Sequence, residues 1–136
     1  MIVVDTNLLV YLFVQGNRTG EAEAVLRRDG LWAAPWLWRS EFRNALIGLV
    51  RRGDVLMEEA VQVTDAAERW MQGREYVVTS THVLELAEES GCSAYDCEFV
   101  ALAQDVEAPL VTLDAQLLKA FPSLAVHPKV FVSHHR

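Results

Sequence analysis

A run of β-branched apolar residues that stops at a carboxylate and passes at once into helical spacing constrains this chain more than any other feature. Ile2-Val3-Val4 reads as a strand, Asp5 follows, and Leu8, Leu9, Leu12 and Phe13 then recur at helical intervals. The chain therefore changes from strand to helix at Asp5, which sets that carboxylate at a strand's carboxyl end, facing a helix amino terminus. In an open parallel sheet this is the edge along which ligands bind.

The same alternation continues downstream. Gln15-Gly16-Asn17 reads as a turn, and Gly20 to Arg28 as a short helix with Ala22, Val25 and Leu26 inward, ended by Asp29-Gly30. Leu31-Trp32-Ala33-Ala34 is strand-like and is closed by Pro35, which cannot donate to a sheet ladder. Pro35 and Ser40 are alternative starts for a helix that runs to Arg52 and stops at Gly53, with Phe42, Leu46, Leu49 and Val50 as its apolar stripe. Leu56 to Met71 forms a further amphipathic helix. Tyr76-Val77-Val78 reads as a buried strand, with Ser80 capping a helix through Glu89. Ser93 to Val106 is a helix whose inward face is Phe99, Val100, Ala103 and Val106, and Pro109 to Leu113 is a strand. Leu117, Leu118 and Phe121 mark a short helix after Asp114, and either Ala125-Val126 or Val130-Phe131-Val132 supplies the last strand. Strands alternating with helices predict one α/β domain over residues 1–136. Its three layers are a mainly parallel sheet of four or five strands with helices on both faces.

Composition narrows the class. A chain of 136 residues buries roughly two thirds of its unfolded surface without disulfides or a structural metal. No stretch approaches the ~18 apolar residues of a membrane span, and no basic stretch precedes the first apolar run, so a cytoplasmic location is expected. Cys92 and Cys97 read as free packing thiols, with no histidine nearby to complete a zinc set. The formal charge of −7 opposes a nucleic-acid partner unless bound cations offset it where substrate sits. The tail Ser133-His134-His135-Arg136 reads as frayed, its paired histidines a weak metal signal.

Taken singly, each notable acid has an ordinary structural use. Asp5 and Asp114 each follow an apolar strand and precede a helical pattern, where an aspartate accepts from free helix amides. Asp96 stands three residues after Ser93, the spacing of a capping box, and Glu41 is a helix acid among arginines. Together they mean more. Asp5, Asp96 and Asp114 fall along one edge of the sheet, and Glu41 lies a helical turn from it. Two carboxylates ~4 Å apart repel by about 4 kcal/mol at an effective dielectric near 20, so four do not gather without cations. Oxygen ligands select Mg²⁺ or Mn²⁺. Such a centre suits phosphodiester cleavage, with one ion activating the attacking water and a second stabilising the leaving oxygen. His82 and His127 are remote from these acids in the pattern, which leaves metal-activated water as the economical nucleophile.

The residues Val3-Val4-Asp5-Thr6-Asn7, Ser40-Glu41-Phe42-Arg43-Asn44, Ala94-Tyr95-Asp96 with Val100-Ala101-Leu102-Ala103, and Leu110-Val111-Thr112-Leu113-Asp114 resemble, in order and spacing, the PIN domain. Within it the likeness is to the small VapC-type toxin ribonucleases of toxin-antitoxin pairs. The resemblance implies that Asp5, Glu41, Asp96 and Asp114 surround Mg²⁺ or Mn²⁺, with Thr6, Asn7 and Thr112 as accessory polar groups. It further implies a homodimer, an antitoxin that occupies the active-site groove, and endonucleolytic cutting of tRNA, ribosomal RNA or messenger RNA. Two positions depart from the pattern. Phe99 stands where relatives often have tyrosine, and Ala115-Gln116 follow Asp114 where many have a further acidic or amide residue, which leaves one or two metal ions open.

Further polar groups invite two readings each. Arg39 and Arg43, a helical turn apart, either track a phosphate backbone near Glu41 or pair with acids on neighbouring helices. Asn44 either orients Glu41 or is a plain helix position. Trp32, Trp36, Trp38 and Trp70 read as core or interface in preference to base platforms. Other folds with a strand-end aspartate fit less well. A haloacid-dehalogenase-like phosphatase needs a second aspartate where Asn7 stands, and a receiver domain needs an early acidic pair and a lysine at a late strand end, whereas Lys119 falls in a helix pattern. A non-catalytic RNA- or protein-binding module and a housekeeping RNA-processing nuclease are the alternatives on the same fold.

Overall fold

The computed structural model describes residues 1–133, so His134, His135 and Arg136, and with them the reading of the tail histidines, lie outside the described residues. Strand β1 (Ile2–Val4) leads through Asp5 into α1 (Thr6–Phe13), and α2 (Thr19–Arg28) returns the chain to β2 (Trp32–Pro35). Helices α3 (Leu37–Arg51) and α4 (Met57–Met71) connect to β3 (Glu75–Tyr76). Then α5 (Ser80–Ser90) and α6 (Ala94–Asp105) lead to β4 (Leu110–Val111), followed by α7 (Ala115–Ala120), β5 (Ala125–Val126) and α8 (Pro128–Ser133). The five strands are all parallel, in the order β3-β2-β1-β4-β5.

This order decides where a site can form. The chain first winds outward from β1 through β2 to β3, then crosses back to β4 on the other side of β1. The connections leaving β1 and β4 therefore run in opposite directions, opening a crevice at the carboxyl ends of those two strands. Helices α1 to α4 pack against one another, while α5 packs on α6 and α6 lies across β1, β2 and β4. Both faces of the sheet are thus covered, which is why Ile2, Val3 and Val4 are all buried and show no polar alternation.

Helix α6 contributes more buried residues than any other helix among the described residues. Cys97, Phe99, Val100, Ala101, Leu102 and Ala103 are all buried, a wider face than the four-residue stripe expected from spacing, because sheet and α5 grip it from different sides. Gly91, in the left-handed conformation at φ +75°, ends α5 and turns the chain so that Ser93 can cap α6. Cys92 and Cys97 are buried and unbridged, as expected for packing thiols.

Several boundaries move. The third strand is Glu75–Tyr76 and not Tyr76 to Val78, and Val77 is 84% exposed, because β3 is an edge strand paired only to β2 and the chain leaves the sheet after Tyr76. Thr79, not Ser80, caps α5, its hydroxyl accepting from the His82 amide. Helix α3 begins at Leu37 without a side-chain cap, directly after the proline that ends β2. Of the two candidate last strands, Ala125-Val126 pairs with β4, and Val130 to Val132 belong to α8.

Trp32 shows what the core contributes. Its ring is fully buried, meets Trp70 edge to face at 5.6 Å, and donates its indole N–H to the Asp29 carbonyl at 2.8 Å. Trp32→Ala is expected to destabilise the fold by about 3–5 kcal/mol, measured as a lower urea midpoint with an unchanged slope.

Candidate active site

The crevice at the strand ends is built outward from Asp5. As N-cap of α1, Asp5 accepts the Leu8 amide on Oδ1 at 3.1 Å, and across the crevice its Oδ2 accepts the Thr112 hydroxyl at 2.7 Å and the Leu113 amide at 3.1 Å. Thr112 is fully buried, and the same hydroxyl accepts the Asp114 amide at 3.1 Å. Asp114 in turn caps α7 through Oδ1, which accepts the Leu117 amide at 2.9 Å. One buried threonine thus fixes both strand-end aspartates relative to each other.

The other two acids arrive on helices. Glu41 projects from the second turn of α3 and accepts the Thr6 hydroxyl on Oε1 at 2.6 Å. Asp96 lies in the first turn of α6, where its amide donates to Ser93 Oγ at 3.0 Å. The return bond of a capping box, from the Ser93 amide to the Asp96 carboxylate, is not made among the described residues. The Asp96 carboxylate, Glu41 Oε2 and Asp114 Oδ2 accordingly accept no hydrogen bond there.

All four acids line one cavity of about 480 Å³, together with Thr6, Asn7, Asn44, Thr112, Ser40, Tyr95 and Phe99 among others. Among the described residues no lysine, arginine or histidine is in its wall. Burial pushes the Asp5 carboxyl above the ordinary carboxylate range, against the pull of its three hydrogen bonds and with some help from Asp114. Glu41 is raised first by burial and then by the negative charges of Asp96, Asp5 and Glu98, with the Thr6 hydroxyl opposing. Asp96 is raised by burial and by Asp114, with Ser93 opposing. The acids sense one another through a poorly solvated space.

Three hard-oxygen groups with unused lone pairs around a fourth, rigidly held one form the donor set that Mg²⁺ or Mn²⁺ requires. No three acidic, histidine or cysteine side chains among the described residues stand close enough together to form a finished metal-binding group. The donor chemistry of the four acids, oxygen only, is of the kind that suits a hard divalent ion.

The remaining predicted residues divide. Thr6 positions Glu41, the part assigned in one reading to Asn44, which lines the cavity without bonding to that carboxylate. Arg39 and Arg43 follow the ion-pairing reading. Arg39 grips Glu75 at 2.6 and 2.9 Å and Glu68 at 3.3 Å, Arg43 meets Glu68 at 3.5 Å, and neither lines the cavity. His82 contacts Gln104 and Asp105, away from the four acids. Sequence reasoning passed over Glu98, close enough to raise the Glu41 carboxyl, and the exposed Tyr95 in the cavity wall. Their placement one residue before and two after Asp96 on a helix was the available signal.

The fold and the site define a class: a doubly covered parallel sheet carrying an acidic crevice where the strand order reverses. Residues 2–121 match the PIN domain, and the chain belongs to that family. It is 30% identical over 128 residues to Ribonuclease VapC3 of Pyrobaculum aerophilum, an alignment covering 90% of this chain and 96% of that relative. A crystal structure of PAE2754 from the same organism superposes with a TM-score of 0.76 at 22% identity, covering 97% of this chain and 93% of that one, which establishes likeness of fold.

Two outcomes follow from the geometry. Thr112→Val removes the hydroxyl that serves Asp5 and Asp114 and is expected to cost about 1–3 kcal/mol in denaturant unfolding. The raised carboxyls also set a pH dependence. Below the ordinary carboxylate range Asp5, Glu41 and Asp96 are protonated in both states, and as pH rises the unfolded chain ionises first. Stability contributed by the protonated forms is therefore lost as pH climbs from the ordinary values through the raised folded ones. Thermal melts in chelator should show this loss, Mn²⁺ or Mg²⁺ should reverse it at neutral pH, and Asp96→Asn should reduce both effects.

Proposed function

We propose that this protein is a Mg²⁺- or Mn²⁺-dependent endoribonuclease that hydrolyses RNA phosphodiester bonds with metal-activated water, acting as the toxin of a type II toxin-antitoxin pair. The observation that carries this reading is the gathering of Asp5, Glu41, Asp96 and Asp114 around one cavity with, among the described residues, no cationic side chain in its wall. Membership of the PIN family and the 30% identity to a relative named as a ribonuclease support it.

Asp5 and Asp114, each tied to a helix start, hold oxygens at fixed places on the two sides of the crevice. Glu41 and Asp96 bring unbonded oxygens from above the sheet edge. When bound, the divalent ion supplies a nucleophilic water near neutral pH and offsets negative charge at the scissile phosphate. Thr6 holds Glu41 in its rotamer, and the first turns of α1, α6 and α7 direct their amide ends toward the acids, which moderates the repulsion among them.

The toxin reading brings a cytoplasmic site of action, an RNA substrate among tRNA, ribosomal RNA and messenger RNA, a cognate antitoxin protein and a homodimeric assembly. Among the described residues no helix is long and apolar enough to cross a membrane. A small adjacent reading frame encoding a DNA-binding antitoxin is expected beside the gene, and its absence favours housekeeping RNA processing.

The direct trial incubates total RNA with the wild type, Asp5→Asn and Asp96→Asn, with and without Mn²⁺. Cleavage is expected from the wild type with metal only. Each substitution should lower it by more than about 100-fold, since even partners behind a metal ligand carry 10–100-fold. Equal degradation by all three proteins would locate the activity elsewhere, and RNA association without cleavage would make the chain a binding module.

A further inference from the structure

The four tryptophans take different places in the folded chain. Trp32 and Trp38 are sealed in the core and Trp70 packs against Trp32 and Phe13, whereas Trp36 stands 48% exposed. It follows β2 directly, on the carboxyl edge of the sheet, and its neighbour Leu37 already lines the acidic cavity. The Arg39 guanidinium lies 4.8 Å from the Trp36 ring centroid and is itself clamped by Glu75 and Glu68. Arg39 therefore braces an aromatic ring and is not a free phosphate contact.

Beside the acidic cavity lies a second cleft of about 350 Å³ with Trp36, Tyr76 and Glu98 in its wall. Helix α6 separates the two. Ala94 and Glu98, one turn apart, face the cleft, while Tyr95, Asp96 and Phe99 face the cavity. Glu98 makes no hydrogen bond or ion pair among the described residues.

We infer that this cleft is a nucleobase subsite for single-stranded RNA, in which Trp36 stacks on an unpaired base adjoining the scissile phosphate and Glu98 reads its edge, favouring guanine. The inference rests on the ribonuclease reading and deepens it. Phosphate contacts from lysine and arginine supply most nucleic-acid affinity in general, yet this chain has a formal charge of −7 and, among the described residues, no cationic side chain in the cavity wall. Grip on the bases compensates for that shortage at the cavity itself, and an aromatic ring fixed in place supplies it. An ionised carboxylate only accepts hydrogen bonds. The Watson–Crick edge of guanine presents two adjacent donors, N1–H and the 2-amino group, which match two carboxylate oxygens. Adenine, cytosine and uracil each set an acceptor beside their donor and would turn a lone pair toward Glu98. Such edges are available only in unpaired RNA.

The test has a cleavage arm and a binding arm. In the first, a pool of randomised single-stranded RNA is cut in Mn²⁺ by the wild type, Trp36→Ala, Trp36→Phe and Glu98→Gln, and the new ends are sequenced. Guanine is expected to be enriched beside the wild-type cut. Trp36→Ala should raise KM about tenfold, more than it lowers kcat, and Trp36→Phe should recover most of that loss. Glu98→Gln should bring guanine enrichment down toward background. An active enzyme whose KM and cut-site distribution are unchanged in Trp36→Ala and Glu98→Gln would overturn the inference. The second arm measures fluorescence anisotropy of labelled RNA pentamers, with and without a central guanine, on Asp96→Asn and Asp96→Asn/Trp36→Ala. If the wild type cuts nothing, the ribonuclease reading fails and this arm alone judges the subsite: weaker, guanine-indifferent binding by the double variant upholds it, and equal binding overturns it.

Discussion

The bond network around the Asp5 carboxylate is the constraint on which the rest of the structure turns. One oxygen caps α1 and the other takes a hydroxyl and an amide from the segment after β4, so a single side chain joins the ends of the two parallel strands between which the winding order reverses. A carboxylate there is buried at a cost, visible in its raised pKa, and three donors only partly offset it. A neutral residue would close the same crevice more cheaply. That the position is acidic, and that Asp114 is tied to it through Thr112, makes sense where the crevice must keep negative charge fixed against a ligand.

The charge balance sharpens this. Acids that raise one another's pKa in a shared space are a standing destabilisation in the absence of a counter-charge, and the chain places its nearby arginines elsewhere. Arg39 and Arg43 are spent on Glu75 and Glu68, at the far side of α3 from the cavity. An arginine salt-bridged into the cavity would relieve the repulsion and also fill the place of a divalent ion. On the proposed reading, a wall without cations among the described residues leaves the place open to one that arrives from solution.

The parts of this architecture that sequence spacing revealed are those governed by short-range rules. Ile2-Val3-Val4 is a central strand buried on both faces, so an unbroken apolar run marks it, and Asp5 and Asp114 were found because strand-end caps sit at fixed offsets from such runs. Edge strands carry no such mark. In β3 only Glu75 and Tyr76 pair, and Val77, apolar and β-branched, is exposed because the partner that would bury it does not exist. Side-chain partners across the sheet were equally out of reach. That Thr6 rather than Asn44 holds Glu41 depends on how α1 meets α3, over a separation of 35 residues. The fate of the tryptophans was hidden for the same reason, since Trp36 and Trp38 are two positions apart in sequence, yet the first is half exposed and the second fully buried.

Helix α6 sends side chains into two separate cavities from one well-packed element. Six of its residues are buried against the sheet and α5, so the helix has little freedom to shift or roll. Its first two turns emerge at the sheet edge as a partition, with Asp96 on the cavity side and Glu98 on the other. On the proposed reading, a partition anchored in this way fixes the distance between a group that acts on the backbone of a substrate and a group that touches its neighbouring base. Loops would leave that distance to fluctuate, whereas a helix gripped by the core sets it when the chain folds, before any substrate or ion is present.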